Sequence, residues 1–173
     1  MKEFIHQRHK PPSGSLGAES LVLACPPLRS SVNLSRIVRA AGCCGIRRLL
    51  AASPAKIDPK IARDATEQVE VSLHRSLAPV LKKWKEQGYQ LVGLEQATDS
   101  ECLYGFAFEK RTVLVLGHER EGVSEEILRL LDRVAEIPIY GAPFSHNVAT
   151  AATMAMYEYC RQHGETQSTA SEH

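Results

Sequence analysis

Apolar and polar positions along this chain switch between a strand-like and a helix-like spacing. Leu21-Val22-Leu23-Ala24-Cys25 is a short apolar run closed by Pro26-Pro27, which predicts a buried strand. Leu34, Ile37, Val38, Ala41 and Cys44 then recur at helical spacing, with Asn33 as the predicted cap and Gly42 and Gly45 marking the end. Asn33, Arg36 and Arg39 fall together on the opposite side of that helix. Further strands are predicted over 48–52, 90–94, 112–116 and 134–139, and helices over 77–87, 125–131 and 147–162. Thr112 to Leu116 is a continuous β-branched and Leu run of the kind buried on both faces. Strand and helix in alternation predict a single α/β domain over residues 20–163, with a parallel sheet covered on both faces. Residues 1–19 have no periodicity and read as a flexible basic arm, and 164–173 as a polar, frayed tail.

Composition changes this picture little. The 173 residues are 43% apolar and 24% charged, as in ordinary globular proteins. No apolar run approaches the roughly 20 residues of a membrane helix, and Met1 to Gly14 has no apolar stretch of the secretory kind. The expectation is a cytoplasmic protein with no membrane partner. Cys25, Cys43, Cys44, Cys102 and Cys160 are irregularly spaced with no C-x-x-C pair, and the histidines lack ligand spacing, so no metal is expected. Charge adds more by its distribution than by its net value of +1. Between Glu19 and Asp58 there is no acidic residue, while Arg29, Arg36, Arg39, Arg47, Arg48 and Lys56 fall inside. Such a block suits a phosphate-rich partner, or else is a solvated face.

Ligands of open α/β sheets sit at the carboxyl ends of the strands, so the post-strand segments are the places to look. Ser31 to Gly42 opens a helix whose N-terminus favours an anion. Gly117-His118-Glu119-Arg120-Glu121-Gly122-Val123 brackets a charged turn with two glycines; it is neither a Walker loop nor G-x-G-x-x-G. Ile137-Pro138-Ile139-Tyr140-Gly141-Ala142-Pro143-Phe144-Ser145-His146-Asn147-Val148 leads into a helix rich in small residues, Ala149, Ala151, Ala152 and Ala155. No Ser-His-Asp arrangement and no pair of catalytic carboxylates can be argued from these segments alone.

In this order and spacing, the three segments resemble the signature motifs of the SpoU (TrmH-like) RNA 2′-O-ribose methyltransferase family of the SPOUT superfamily. Asn33 to Arg39 matches an Asn-x₅-Arg motif, Leu116 to Gly122 a Leu-Gly-x-Glu-x-x-Gly motif, and Ile137 to Val148 the third, followed by Tyr157-Glu158 and Arg161-Gln162. The resemblance covers residues 20 to 163. Gln87 to Gln96 also looks like the branch that methylates the D-loop guanosine of tRNA.

The resemblance implies a parallel-sheet α/β knot, a deep C-terminal trefoil, and S-adenosyl-L-methionine as methyl donor. It implies a homodimer through the first and last helices, and RNA as substrate, tRNA in preference to rRNA. It assigns Leu94, Gly117, Ile137, Ile139 and His146 to the donor. Arg39 is the implied catalytic residue, supported by Asn33, Glu119, Ser145 and Asn147, while Arg29, Arg36, Arg39 and Arg120 would meet RNA. Guanidinium stays protonated, so Arg39 is better suited to hold a phosphate and stabilise a developing 2′-oxyanion than to act as a base.

Two departures from the family pattern stand out. His146 replaces the usual Leu of the third motif, and the short arm (Lys2, His6, Arg8, His9, Lys10) stands where many relatives carry RNA-binding extensions. The competing expectation is a catalytically silent RNA-binding dimer whose donor site His146 has spoiled. A flavodoxin-like nucleotide binder would need a phosphate-cradling loop, which is absent from the sequence.

Overall fold

A computed structural model describes residues 3–7 and 10–166, so Lys2, Arg8 and His9 of the arm and residues 167–173 of the tail lie outside the described residues. The elements run β1 (Gly14–Ser15), β2 (Val22–Cys25), α1 (Ser31–Cys43), β3 (Arg48–Ala52), α2 (Pro59–Ala62), α3 (Ala65–Gln68), β4 (Glu70–His74), α4 (Ala78–Glu86) and β5 (Gln90–Leu94). They continue through β6 (Glu101–Cys102), a 3₁₀ turn (Leu103–Gly105), β7 (Thr112–Leu116), α5 (Glu125–Leu128), β8 (Arg133–Glu136), α6 (Val148–His163) and β9 (Glu165–Thr166). The main sheet has the order β4-β3-β2-β7-β5-β8-β6, and every pairing in it is parallel. Among the described residues no helix is long and apolar enough to cross a membrane.

Because side chains alternate along a strand, each strand feeds two cores. Leu23, Cys25, Leu49, Ala51, Val92, Leu94, Leu114 and Leu116 pack with Leu34, Ile37, Val38 and Ala41 of α1 and Ala149, Ala152, Ala155 and Met156 of α6. Val22, Ala24, Leu50, Ala52, Leu91, Val113 and Val115 pack on the other face with Leu77, Ala78, Leu81, Val123 and Ile127. The alanines of α6 are thus spent inside the chain, where they let α6 lie close against α1. Gly42 does the same for α3: a methyl there would stand 2.6 Å from the Cβ of Ala65.

Three expectations need correction. Asn33 is not the cap of α1; Ser30 is, its side chain accepting from the Asn33 N–H, and Asn33 sits in the first turn with its own side chain turned to other work. The chain before residue 20 is not wholly without structure, since Gly14–Ser15 pairs antiparallel with Glu165–Thr166 and Leu16 is buried, which also orders the start of the expected tail. The strand at 134–139 stops at Glu136, where Pro138 removes a ladder donor. β4, β6, α2 and α3 were outside the periodic pattern altogether.

Candidate active site

The segments that follow β5, β7 and β8 converge at the carboxyl ends of these strands. They enclose a cavity of about 430 Å³, within the usual range for a small-molecule site. Its apolar wall is Leu94, Leu116, Ile137, Ile139, Val148 and Ala151; its polar wall includes Glu95, His118, Glu119, Ser145, His146 and Asn147. All five residues assigned to a donor from the sequence, Leu94, Gly117, Ile137, Ile139 and His146, line it, and so do Glu119, Arg120, Ser145 and Asn147.

The glycines of the second segment are required by geometry. Gly122 has φ +66°, a left-handed conformation that costs other residues about 1–2 kcal/mol, and an added methyl would run into the Glu95 carboxylate. A methyl on Gly117 would lie 3.0 Å from Glu95 Oε2 and 3.1 Å from the Gly122 backbone. The loop is therefore folded tightly around Glu95, whose carboxylate accepts from the Val123 N–H at 2.8 Å and the Gln96 N–H at 2.9 Å. Glu95 went unassigned in the sequence. The signal was available, since it directly follows a strand at the sheet's carboxyl edge.

A polar chain ties the three segments together. Glu119 accepts from the N–H groups of Arg29 (3.1 Å) and Ser30 (3.2 Å) at the start of α1, and from Asn33 Nδ2 (3.2 Å). Asn33 Oδ1 accepts in turn from Asn147 Nδ2 at 3.1 Å, and Asn147 Oδ1 caps α6 by accepting from the Ala149 and Thr150 N–H groups. The anion favoured at the start of α1 is thus the chain's own carboxylate. Burial pushes the Glu119 pKa up, but the N–H of Arg29, its own N–H, the Asn33 amide and the Ser30 N–H outweigh it and hold the carboxyl below its ordinary range. Each of the three motifs contributes one member of this chain, so the segments orient one another.

Arg39 does not line the cavity of its own chain. Six residues beyond Asn33, it lies about 9 Å further along the helix and is exposed. Arg29, Arg36 and Arg120 are exposed as well, and among the described residues none of these four arginines forms an ion pair. Arg36 and Arg39 belong to α1 and Arg29 to the turn before it, while Arg120 lines the cavity.

Comparison with known proteins agrees with this geometry. A tRNA (guanosine(18)-2′-O)-methyltransferase of Aquifex aeolicus is 28% identical over 95% of this chain and 76% of its own length. The mouse protein TARBP1, of the same description, is 37% identical over 47% of this chain, which spans only 5% of it. The Escherichia coli tRNA (guanosine(18)-2′-O)-methyltransferase is 27% identical, and the match spans 58% of it. Among solved structures, the A. aeolicus TrmH/SpoU tRNA modifying enzyme superposes with a TM-score of 0.79 at 30% identity, over 83% of this chain and 75% of that one. The SpoU methyltransferase AviRb of Streptomyces viridochromogenes, in complex with AdoMet, gives 0.72 at 28% identity over 83% and 60%. The family model matches residues 20–157, which hold all three motifs, both ends of the polar chain and the whole cavity, and the chain belongs to the SpoU rRNA Methylase family.

Proposed function

We propose that this protein transfers a methyl group from S-adenosylmethionine to a ribose 2′-hydroxyl of RNA, and that the RNA is tRNA, methylated at the D-loop guanosine. The observation that carries the reading is the cavity lined by the second and third motifs, to which the first motif is tied through the hydrogen bonds of Asn33 with Glu119 and Asn147. The donor fits the residues present. The apolar wall of Leu94, Ile137 and Ile139 suits a flat base, the exposed polar groups of Ser145 and His146 suit ribose and carboxylate, and Glu95 and Glu119 supply negative charge for a cationic sulfur. The two-glycine loop leaves backbone open to close approach where side chains would fill it. Bound there, S-adenosylmethionine supplies a methyl carbon made electrophilic by its sulfonium sulfur.

The chain's own groups divide the remaining work. Glu119, Asn33 and Asn147 are fixed by one another and hold the mouth of the cavity in shape. Arg39 holds the phosphate beside the reacting ribose and stabilises the oxyanion as the hydroxyl loses its proton, a contribution on the order of 3 kcal/mol. Since Arg39 is outside its own chain's cavity, it reaches the reacting ribose from a partner subunit in a homodimer built on α1 and α6. Val32, Met154 and Tyr157, which remain exposed on these helices, support that interface. The deep knot belongs to the same proposal, with α6 threaded and then fastened: Gln162 exchanges hydrogen bonds with Phe106 and Phe108, and Tyr159 donates to the Lys110 carbonyl. A cytoplasmic place of action goes with a tRNA substrate.

The test is methyl transfer from labelled S-adenosylmethionine to tRNA and, separately, to rRNA, each lacking its native ribose methylation. Label in tRNA as 2′-O-methylguanosine is expected; label in rRNA alone would move the substrate. Arg39→Ala should lose turnover by on the order of 10²-fold and keep donor binding, and turnover like the wild type would overturn its role. No donor binding by the wild type would leave a silent RNA-binding protein.

A further inference from the structure

A second cavity, of about 460 Å³, lies on the other side of the 117–122 loop. It stands at the carboxyl ends of β2, β3, β4 and β7, lined by Pro26 and Pro27, Ala52, Arg75 to Leu77, and Val115 and Leu116. The loop itself closes it, so Leu116, His118 and Gly122 line both cavities. The floor is apolar, built of prolines, Ala52, Leu77, Val115, Val123 and Ile127, while Arg75, Glu121 and Glu126 stand exposed around the rim. Among the described residues none of these three charged groups has an ion-pair partner. The floor belongs to the α4 face of the sheet, so an interface through α1 and α6 leaves this cavity open.

Resting on the methyl-transfer reading above, we propose that this second cavity receives the base of the nucleotide being methylated, and that Glu121 and Glu126 select guanine. An apolar slot with a polar rim matches a flat heterocycle whose faces are apolar and whose edges hydrogen-bond. The Watson–Crick edge of guanine carries two adjacent N–H donors, which a carboxylate accepts as a pair. Adenine offers one donor beside an acceptor, so the same carboxylate would face a lone pair and be left unsatisfied, which is how a polar site rejects a near-isostere. Arg75 supplies a planar cation for the adjoining phosphate or for stacking. The shared loop sets the ribose between base and donor, with His118 at the partition. The His118 ring accepts at Nδ1 from the Arg120 and Glu121 N–H groups, both at 3.3 Å, so its neutral form carries hydrogen on Nε2 and acts there as a donor.

Methyl-labelled protein titrated with guanosine 5′-monophosphate tests the site without turnover. The methyl resonances of Leu77, Val115, Val123 and Ile127 should shift, with adenosine 5′-monophosphate binding at least 10-fold more weakly. Glu121→Gln with Glu126→Gln should erase that preference. Ser76→Trp, which places a bulky ring at the exposed rim, should abolish the shifts and raise the KM for RNA at least 10-fold while leaving S-adenosylmethionine affinity unchanged. Shifts confined to Ile137 and Ile139, equal binding of the two nucleotides, or a Ser76→Trp variant with the wild-type KM would overturn the proposal. Selective nucleotide binding without methyl transfer to any RNA would instead remove the reaction and leave the site standing.

Discussion

Glu119→Gln isolates the charge that holds the start of α1. The substitution keeps the shape and one acceptor oxygen but removes the negative charge facing the Arg29 and Ser30 N–H groups, and it turns an NH₂ toward donors. Hydrogen bonds to a charged group contribute about 1.5–3 kcal/mol each, and the three that meet this carboxylate share one group and do not add. A net loss of about 2 kcal/mol is expected, which in a chain of this size lowers Tm by about 4–8 °C. The pH dependence gives the sharper test. The folded carboxyl titrates below its ordinary range, so its stabilisation is fully present above the unfolded value of about 4.3 and is lost as pH falls through the lower folded value. Thermal unfolding of both proteins from pH 7 to pH 3 should show a constant gap down to about pH 5 that narrows below it. A gap under 1 °C at neutral pH, or one that persists undiminished at pH 3, would refute the assignment.

Other consequences follow from the same packing. Gly122→Ala forces a methyl into the Glu95 carboxylate at a left-handed φ, so S-adenosylmethionine affinity measured by calorimetry should fall at least 10-fold; unchanged affinity would show that the loop is not part of the donor cradle. Tyr159→Phe removes the donor to the Lys110 carbonyl and should cost about 1 kcal/mol, seen as a Tm lower by about 2–4 °C. Among the thiols, Cys25 is fully buried and its pKa is pushed up to about 12, first by burial and then by the nearby Glu119 charge, whereas Cys43 is exposed. Iodoacetamide at pH 8 should therefore label Cys43 in the folded protein and reach Cys25 only on unfolding, as peptide mass mapping would show.

The family, the parallel sheet and most of the site were legible in the sequence because short-range patterns encode them. A strand buried on both faces has to read as a continuous apolar run, as the β-branched and Leu run 112–116 does, and the bounds expected for 90–94 and 112–116 match the structure to the residue. Helix 148–163 is legible as a helix rich in small residues, with Ser145 or Asn147 as its cap and the structure choosing Asn147, and the two glycines of the second motif announce a backbone that tolerates no side chain. What stayed hidden had no local pattern to show. Edge strand β4 is only half buried, with Leu73 exposed, and helices of four residues are too short for a period. Asn33 looks like a cap in sequence because residues of its type favour caps. Only the fold brings Glu119, 86 residues away, and Asn147, 114 residues away, to its two side-chain atoms and gives the cap to Ser30. The same long-range assembly placed Glu95 inside the loop of Gly117 and Gly122, and it left Arg39 outside the cavity its motif suggested. Sequence thus determined which segments meet at the carboxyl edge of the sheet. Tertiary structure decided which side chains there face one another, because hydrogen bonds and steric exclusion between distant segments exist only once the sheet has brought them together.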